Sequence, residues 1–245
     1  MSKEREKEIL KILLAKKKIS VAELSELLFA SESSVRRDLT RLENQQLIKR
    51  VHGGAIIEEN SISMLKIPFV IRELEYSEAK VEMAKKAMSY INDYDVIFLD
   101  ASSSAFNLVP FLTVKNHLTV ITSGTKALVK LGEYGIKAIS TGGELLPSCH
   151  SLVGEAAYKT IETFNANAVF FSCRGLSDNG YITDISDSEN CVRKHMIEHS
   201  RNSYLLCNGN KIGKKYFHNL CTVKDITKII SEAPLPERFQ QTDDI

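Results

Sequence analysis

Three arginines, Arg36, Arg37 and Arg41, lie within six positions of one another, interleaved with Ser33, Ser34 and Thr40 and followed by Asn44. Guanidinium forks hydrogen-bond guanine edges and phosphate oxygens, and short polar side chains beside them let a duplex come close. A solvated charged surface uses the same residue types, so the element that carries them decides. A second set is of anion-binding type: Asp100-Ala101-Ser102-Ser103-Ser104, Thr122-Ser123, Thr141-Gly142-Gly143 and Asn208-Gly209-Asn210-Lys211. Hydroxyls, backbone N–H groups freed by glycine and a lysine are what holds a phosphate, although hydroxyl-rich turns also serve simply as helix caps. Asp100, Asp178, Asp184, Asp187 and Glu189 could supply a carboxylate general base, but no spacing pairs them. His195 and His199 stand four apart, with Cys191 four positions before them, a helical ligand spacing that nothing completes into a recognisable metal set. Neither a metal nor a cofactor is expected, and no Ser/His/Asp order, P-loop or zinc signature is present.

The elements that must hold the first set are helical. Ile9, Ile12 and Leu13, broadened by Leu10 and Leu14, predict a helix over about 3–15. Ser20-Val21-Ala22-Glu23 has capping-box spacing and starts a second helix that runs to about Phe29. Ser31 caps a third, in which Val35, Leu39 and Leu42 recur at i, i+4 and i+7. At about 100° per residue, Ser33, Arg37, Thr40, Arg41 and Asn44 face away from that stripe, with Arg36 on its flank. A strand over 47–51, a His52-Gly53-Gly54 turn and a returning strand over 55–57 make a hairpin that carries Lys49, Arg50 and His52. Residues 1–57 hold 12 Lys or Arg against 8 Asp or Glu, while the remainder holds 20 against 23, which puts the module suited to a polyanion at the front.

The second set belongs to an α/β region. Strands expected at 96–100, 118–122, 136–140, 168–173, 204–207 and 226–231 alternate with helices at 78–90, 105–112, 125–134, 155–164 and 189–201. That alternation implies a mainly parallel sheet with helices on both faces. Ligands of such sheets gather outside the carboxyl ends of the strands. Asp100, Ser102, Ser103, Ser104, Thr122, Ser123, Gly142, Gly143 and Lys211 are therefore expected at one edge, as one polar site. Across 245 residues the reading is two domains, 1–57 and 76–245, joined by a polar linker over 58–75 that contains Pro68. Apolar residues make up 43% and charged ones 26%, and no run approaches the roughly 20 apolar residues of a membrane span. The first fourteen residues mix Lys and Glu through their apolar positions, unlike a signal peptide, and five scattered cysteines without a CxxC pair fit a reducing compartment. A cytoplasmic protein is expected.

Residues 4–57 resemble the N-terminal domain of the DeoR family of bacterial repressors. The residues that carry the likeness are Ser31, Ser34-Val35-Arg36-Arg37-Asp38-Leu39, Leu42-Glu43 and Arg50-Val51-His52-Gly53-Gly54. The resemblance makes residues 33–44 a recognition helix and the hairpin with Lys49, Arg50 and His52 a wing. It continues more loosely through Asp100–Ser104, Thr122-Ser123, Thr141–Gly143, Ser151, Gly154, Gly175–Gly180 and Asn208–Lys211, with Ser102, Ser123, Asn208 and Asn210 standing where the family usually has Gly, Asn, Asp and Ser. It implies a winged helix-turn-helix followed by a sensor domain related to sugar-phosphate isomerases, and a repressor of a double-stranded DNA operator, acting as a homo-oligomer, dimer or tetramer. A phosphorylated sugar or related metabolite would shift the DNA-competent population by its differential affinity. Two alternatives stand beside it: an isomerase or deaminase-like enzyme with an accessory DNA-binding head, and a constitutive DNA-binding protein whose sensor has lost its ligand.

Overall fold

The computed structural model describes residues 2–57 and 67–239, which divide into two compact units, 1–75 and 76–245. In the first, α1 (Ser2–Lys16) buries Ile9, Leu10 and Leu13. Ser20 caps α2 (Val21–Leu27) by accepting from the Glu23 N–H at 3.1 Å. Ser31 caps α3 (Glu32–Asn44) in the same way through Ser34. Val35, Leu39 and Leu42 of α3 close on α1 and α2 as one core, as their spacing requires. Between α1 and α2 lies β1 (Lys18–Ser20), which pairs with β3 (Gly54–Ile56), itself paired with β2 (Lys49–Val51), so the expected hairpin is two strands of a three-stranded sheet. Gly54 is required there. A Cβ at this position would lie 2.2 Å from the Ile19 carbonyl oxygen of β1.

One expectation changes in this unit. Part of the stretch read as a linker, α4 (Phe69–Leu74), is a helix of the first unit: it buries Phe69 and Ile71, and Glu73 pairs with Lys7 of α1 at 3.0 Å. Pro68 stands immediately before it with φ −56°, so the proline opens this helix. Residues 58–66 of the linker lie outside the described residues.

The second unit is a six-stranded, all-parallel sheet. Its strands are β4 (Val96–Leu99), β5 (Thr119–Thr122), β6 (Lys137–Ser140), β9 (Ala166–Ser172), β12 (Ser200–Leu206) and β14 (Lys228–Ile230), in the spatial order β14-β12-β9-β4-β5-β6. Alternate residues feed two cores, Ile97, Leu99, Phe170 and Leu206 on one side and Phe98, Val169, Phe171 and Leu205 on the other. The first is covered by α5 (Ser77–Ala87), α6 (Ser103–Phe106) and α7 (Thr125–Glu133), the second by α8 (Glu155–Glu162) and α9 (Asp187–Glu198). The chain runs outward from β4 through β5 to β6, then returns to β9 and runs the other way. The carboxyl ends of β4 and β9 therefore flank the point where the winding reverses, the place where such sheets open a crevice for ligands. Short antiparallel pieces were not expected: β7 (Glu144–Leu146) with β8 (Ser151–Val153), and β10 (Gly175–Leu176), β11 (Tyr181–Asp184) and β13 (His218–Thr222) as a second small sheet. The helix expected over 105–112 is also shorter: α6 has four residues and a 3₁₀ segment, Val109–Val114, follows it.

Candidate functional site

The outer side of α3 exposes Ser33, Arg36, Arg37, Thr40, Arg41 and Asn44, with Ser34 half-buried, and the hairpin adds exposed Lys49 and His52. The residue types proposed for a duplex are thus accessible on the first unit, though two arginines are tied more closely than their spacing suggests. Arg41 donates to Glu6 Oε1 at 2.6 Å and to Asp38, and Arg5 of α1 also donates to Asp38, whose carboxylate is fully buried. Arg41 is therefore part of a clamp between α1 and α3 as well as a surface cation. Arg50 is half-buried: its Nη1 donates to Thr40 Oγ1 at 3.0 Å, and its backbone N–H to Glu43 Oε1 at 2.9 Å. That places it between wing and helix. Arg36 pairs with Glu32 at 3.0 Å across one exposed turn, while Arg37 bonds its own helix, at Ser33 O and Ser34 Oγ. The wing tip is fixed at its other side, since Gly53, with φ +73°, accepts from the Val21 N–H at 2.8 Å.

At the winding reversal of the second unit, Asp100 follows β4 and is 1% exposed. Its Oδ1 accepts from the Ser102 N–H at 3.0 Å, and its Oδ2 from the Ser172 N–H at 3.2 Å and from Arg193 Nε at 2.8 Å. Arg193, on α9, also donates to Asp184 Oδ2 at 2.8 Å and to Asn190 Oδ1 at 3.1 Å. Burial alone would lower its pKa, but Asp184, Asp100 and Glu189 outweigh burial and hold it above the ordinary guanidinium value. Ser102 Oγ caps α6 by accepting from the Ala105 N–H at 3.1 Å, and Ser103 and Ser104 are buried beside it. Lys211, beyond β12, donates to Ser172 Oγ at 2.7 Å, and that hydroxyl lies 3.4 Å from Ser104 Oγ. Lys211 pairs with no carboxylate among the described residues. Three buried polar atoms here, Asn208 Oδ1, Asn190 Nδ2 and Glu189 Oε1, have no hydrogen-bond partner among the described residues. Each such orphan costs about 1–3 kcal/mol unless something fills it.

The fold thus brings Asp100, Ser102, Ser103, Ser104 and Lys211 together through Ser172. The β5 turn abuts them, since a Cβ on Gly124 would lie 3.1 Å from Ala101 Cα. Thr122 and Ser123 are buried but serve the loops: Thr122 Oγ1 accepts from the Gly124 N–H, and the Thr122 and Ser123 carbonyls accept from Thr141 and Leu152. Gly142 and Gly143 stand one strand further out, beyond β6. Gly143, with φ +104°, packs so tightly that a Cβ would lie 2.3 Å from the Val153 oxygen, so the structure gives it a packing role. Arg193, Ser172 and Asn190 join the cluster without any mark in the sequence, Asp184 stands among the acids considered only as a base, and Asn208 belongs to the segment named with Lys211. Two open clefts, of 320 and 510 Å³, lie at the opposite, amino ends of the strands, around Asp95, Asn167 and Arg201 and around Lys115, His117 and Lys137. The buried donors and the winding reversal are both at the carboxyl ends, and there we place the candidate site.

A winged helix-turn-helix with a basic outer helix, followed by an α/β unit that gathers anion-binding groups at its switch point, is the architecture of a ligand-responsive DNA-binding regulator. Residues 5–61 match the DeoR-like helix-turn-helix domain and residues 75–233 the DeoR C-terminal sensor domain; the chain belongs to the DeoR family of transcriptional regulators. It is 33% identical over 233 residues to the HTH-type transcriptional regulator YulB of Bacillus subtilis (strain 168), covering 95% of this chain and 89% of that protein. The L-fucose operon activator of Haemophilus influenzae is 31% identical, covering 91% and 89%. The lactose phosphotransferase system repressor of Staphylococcus epidermidis is 29% identical, covering 92% and 90%. Among solved structures, eIF2B delta from Chaetomium thermophilum matches with a TM-score of 0.50 at 16% identity, over 68% of this chain and 62% of that one, a likeness of fold alone. No helix among the described residues is long and apolar enough to cross a membrane.

Proposed function

We propose that this regulator grips a double-stranded operator with α3 and the wing, as a homodimer or homotetramer, and that a phosphorylated sugar or related metabolite bound at the switch point shifts it between DNA-competent and DNA-released states. On DNA, Arg37 with Ser33, Thr40 and Asn44 reads base edges. Arg36, Arg41, Lys49 and His52 face phosphates, and Arg50 holds the wing on the helix. In the sensor, Ser103 and Ser104 donate to the phosphate, Lys211 supplies charge, and Asn190 and Asn208 take the hydroxylated remainder. The observation that carries this reading is the convergence of Lys211, which has no carboxylate partner among the described residues, with the buried orphan amides of Asn190 and Asn208 at the winding reversal. The sign of regulation is read as repression, in line with the lactose phosphotransferase system repressor among its relatives.

The proposal includes no reaction. Asp100 and Asp184, the acids best placed for a base, are both locked by Arg193 and so are poorly disposed to accept a proton from a substrate carbon. A panel of sugar phosphates tests both halves of the reading: a thermal upshift and a change in operator affinity without turnover are expected, and turnover of any member would favour an enzyme.

A further inference from the structure

Cys173 and Cys207 take no part in the DNA or effector reading, yet they stand side by side at the floor of the switch-point site. β9 and β12 run in parallel register up to the pair Ser172 and Leu206, so the next residue of each chain, Cys173 and Cys207, comes abreast of the other at a strand spacing of about 4.8 Å. That falls inside the roughly 4.4–6.8 Å between Cα atoms that a disulfide spans. Strand alternation turns both side chains to the face of Phe171 and Leu205, and both belong to that core. They are 5% and 0% exposed, and both are free thiols. Their neighbours are the candidate site itself: Ser172, which receives Lys211, precedes Cys173, and the orphan amide of Asn208 follows Cys207.

We propose that Cys173 and Cys207 form a reversible dithiol–disulfide site that takes peroxide as its oxidant. The two thiols differ in the way such a reaction needs. Donating its S–H to the Cys207 sulfur, and then burial, push the Cys173 thiol well up, whereas accepting that bond brings the Cys207 thiol down against its burial, with Lys211 assisting. Cys207 therefore attacks first. Its thiolate displaces hydroxide from hydrogen peroxide, breaking the O–O bond and leaving a sulfenic acid, and the hydroxide takes up the proton that the thiol had released. Cys173 then gives up its proton and attacks the sulfenic sulfur; the S–S bond forms and the second oxygen leaves as water. Two thiols and one peroxide give one disulfide and two waters. A dithiol reductant reverses the change by two exchange steps, becoming a disulfide itself. The bridge would tie the ends of β9 and β12 together, and with them Ser172 and Asn208.

The full chain lends itself to a direct test, because trypsin separates all five cysteines and leaves Cys173 alone in residues 160–174 and Cys207 alone in 202–211. After treatment with hydrogen peroxide, a non-reducing digest should contain these two peptides joined, and dithiothreitol should part them. Cys173→Ser should leave a dimedone-reactive sulfenic acid on Cys207, and Cys207→Ser should leave Cys173 unlabelled. Recovery of both wild-type peptides as free, alkylatable thiols while the Cys149 or Cys191 peptides are oxidised would overturn the proposal. So would a link from Cys173 or Cys207 to any other cysteine. No ligand enters the measurement, so failure of the effector reading would not affect it.

Discussion

Replacing Arg193 by Met tests how the switch-point site is held together. The guanidinium is 4% exposed and bridges two carboxylates that are themselves buried, Asp100 at 2.8 Å and Asp184 at 2.8 Å, with Glu189 at 3.9 Å. Methionine is of similar length, so little cavity forms, and the loss is electrostatic: two buried acids remain without their cation. Removing one partner of a buried pair costs about 3–5 kcal/mol, mostly as the penalty of the stranded charge. For a unit of this size that corresponds to a fall in Tm of roughly 6–20 °C. Arg193→Lys keeps the charge but not the fork, since one ammonium cannot donate in parallel to Asp100, Asp184 and Asn190, so its stability should lie between wild type and Arg193→Met. Urea and thermal unfolding of the full chain, followed through the sensor transition, measure both variants. A loss below about 1 kcal/mol for Arg193→Met, or a gain, would refute the view that Arg193 is what allows Asp100 and Asp184 to be buried.

Three further outcomes follow from the geometry. Asp38→Ala should cost about 1–3 kcal/mol in urea unfolding of the first unit, because it releases Arg5 and Arg41 from a fully buried acceptor, while both cations keep access to solvent; an unchanged midpoint would remove the α1–α3 clamp. Gly54→Ala should unseat the wing, as its Cβ would meet Ile19 O at 2.2 Å, so operator affinity should fall with the recognition helix still folded by circular dichroism, and retained affinity would contradict this. Arg37→Ala should weaken operator binding by roughly 1–3 kcal/mol and relax specificity, whereas Arg50→Ala, which frees the wing from Thr40, should weaken all duplexes alike. Shift assays at fixed salt separate the two patterns, and equal effects on operator and random DNA for both variants would remove base reading by Arg37.

Local signals in the chain were legible because neighbours in sequence create them. The Val35, Leu39 and Leu42 stripe, the Ser20 and Ser31 caps and the six strands of the parallel sheet all follow from periodicity and capping chemistry. Asp38 is a readable hint too: an acid at the edge of an apolar stripe needs a cation within reach, and the partly exposed Arg5 and Arg41 supply it. β1, at three residues, is too short to show a period, and the pairing of β11 with β13 joins segments more than thirty residues apart. α4 was obscured by Pro68 and by the polar residues before it. Arg193 had no local mark at all. It sits mid-helix, 93 positions from Asp100, and only the return of the chain from β6 to β9 brings the two together. The hydroxyl-rich turn after β4 was found from its residue types, while the partners that complete it, Ser172, Asn190 and Asn208, come from three other elements.

The central claim, that anion binding at the switch point governs DNA binding by the first unit, is tested most directly by titrating a panel of sugar phosphates into operator complexes of wild type, Lys211→Ala and Ser103→Ala. At least one member should change wild-type operator affinity, both variants should need a concentration at least tenfold higher, about 1.4 kcal/mol of lost binding, and both should bind the operator like wild type when no sugar phosphate is added. A wild-type-like response in both variants would place the effector elsewhere, and a wild-type complex indifferent to every phosphorylated member would contradict the claim itself.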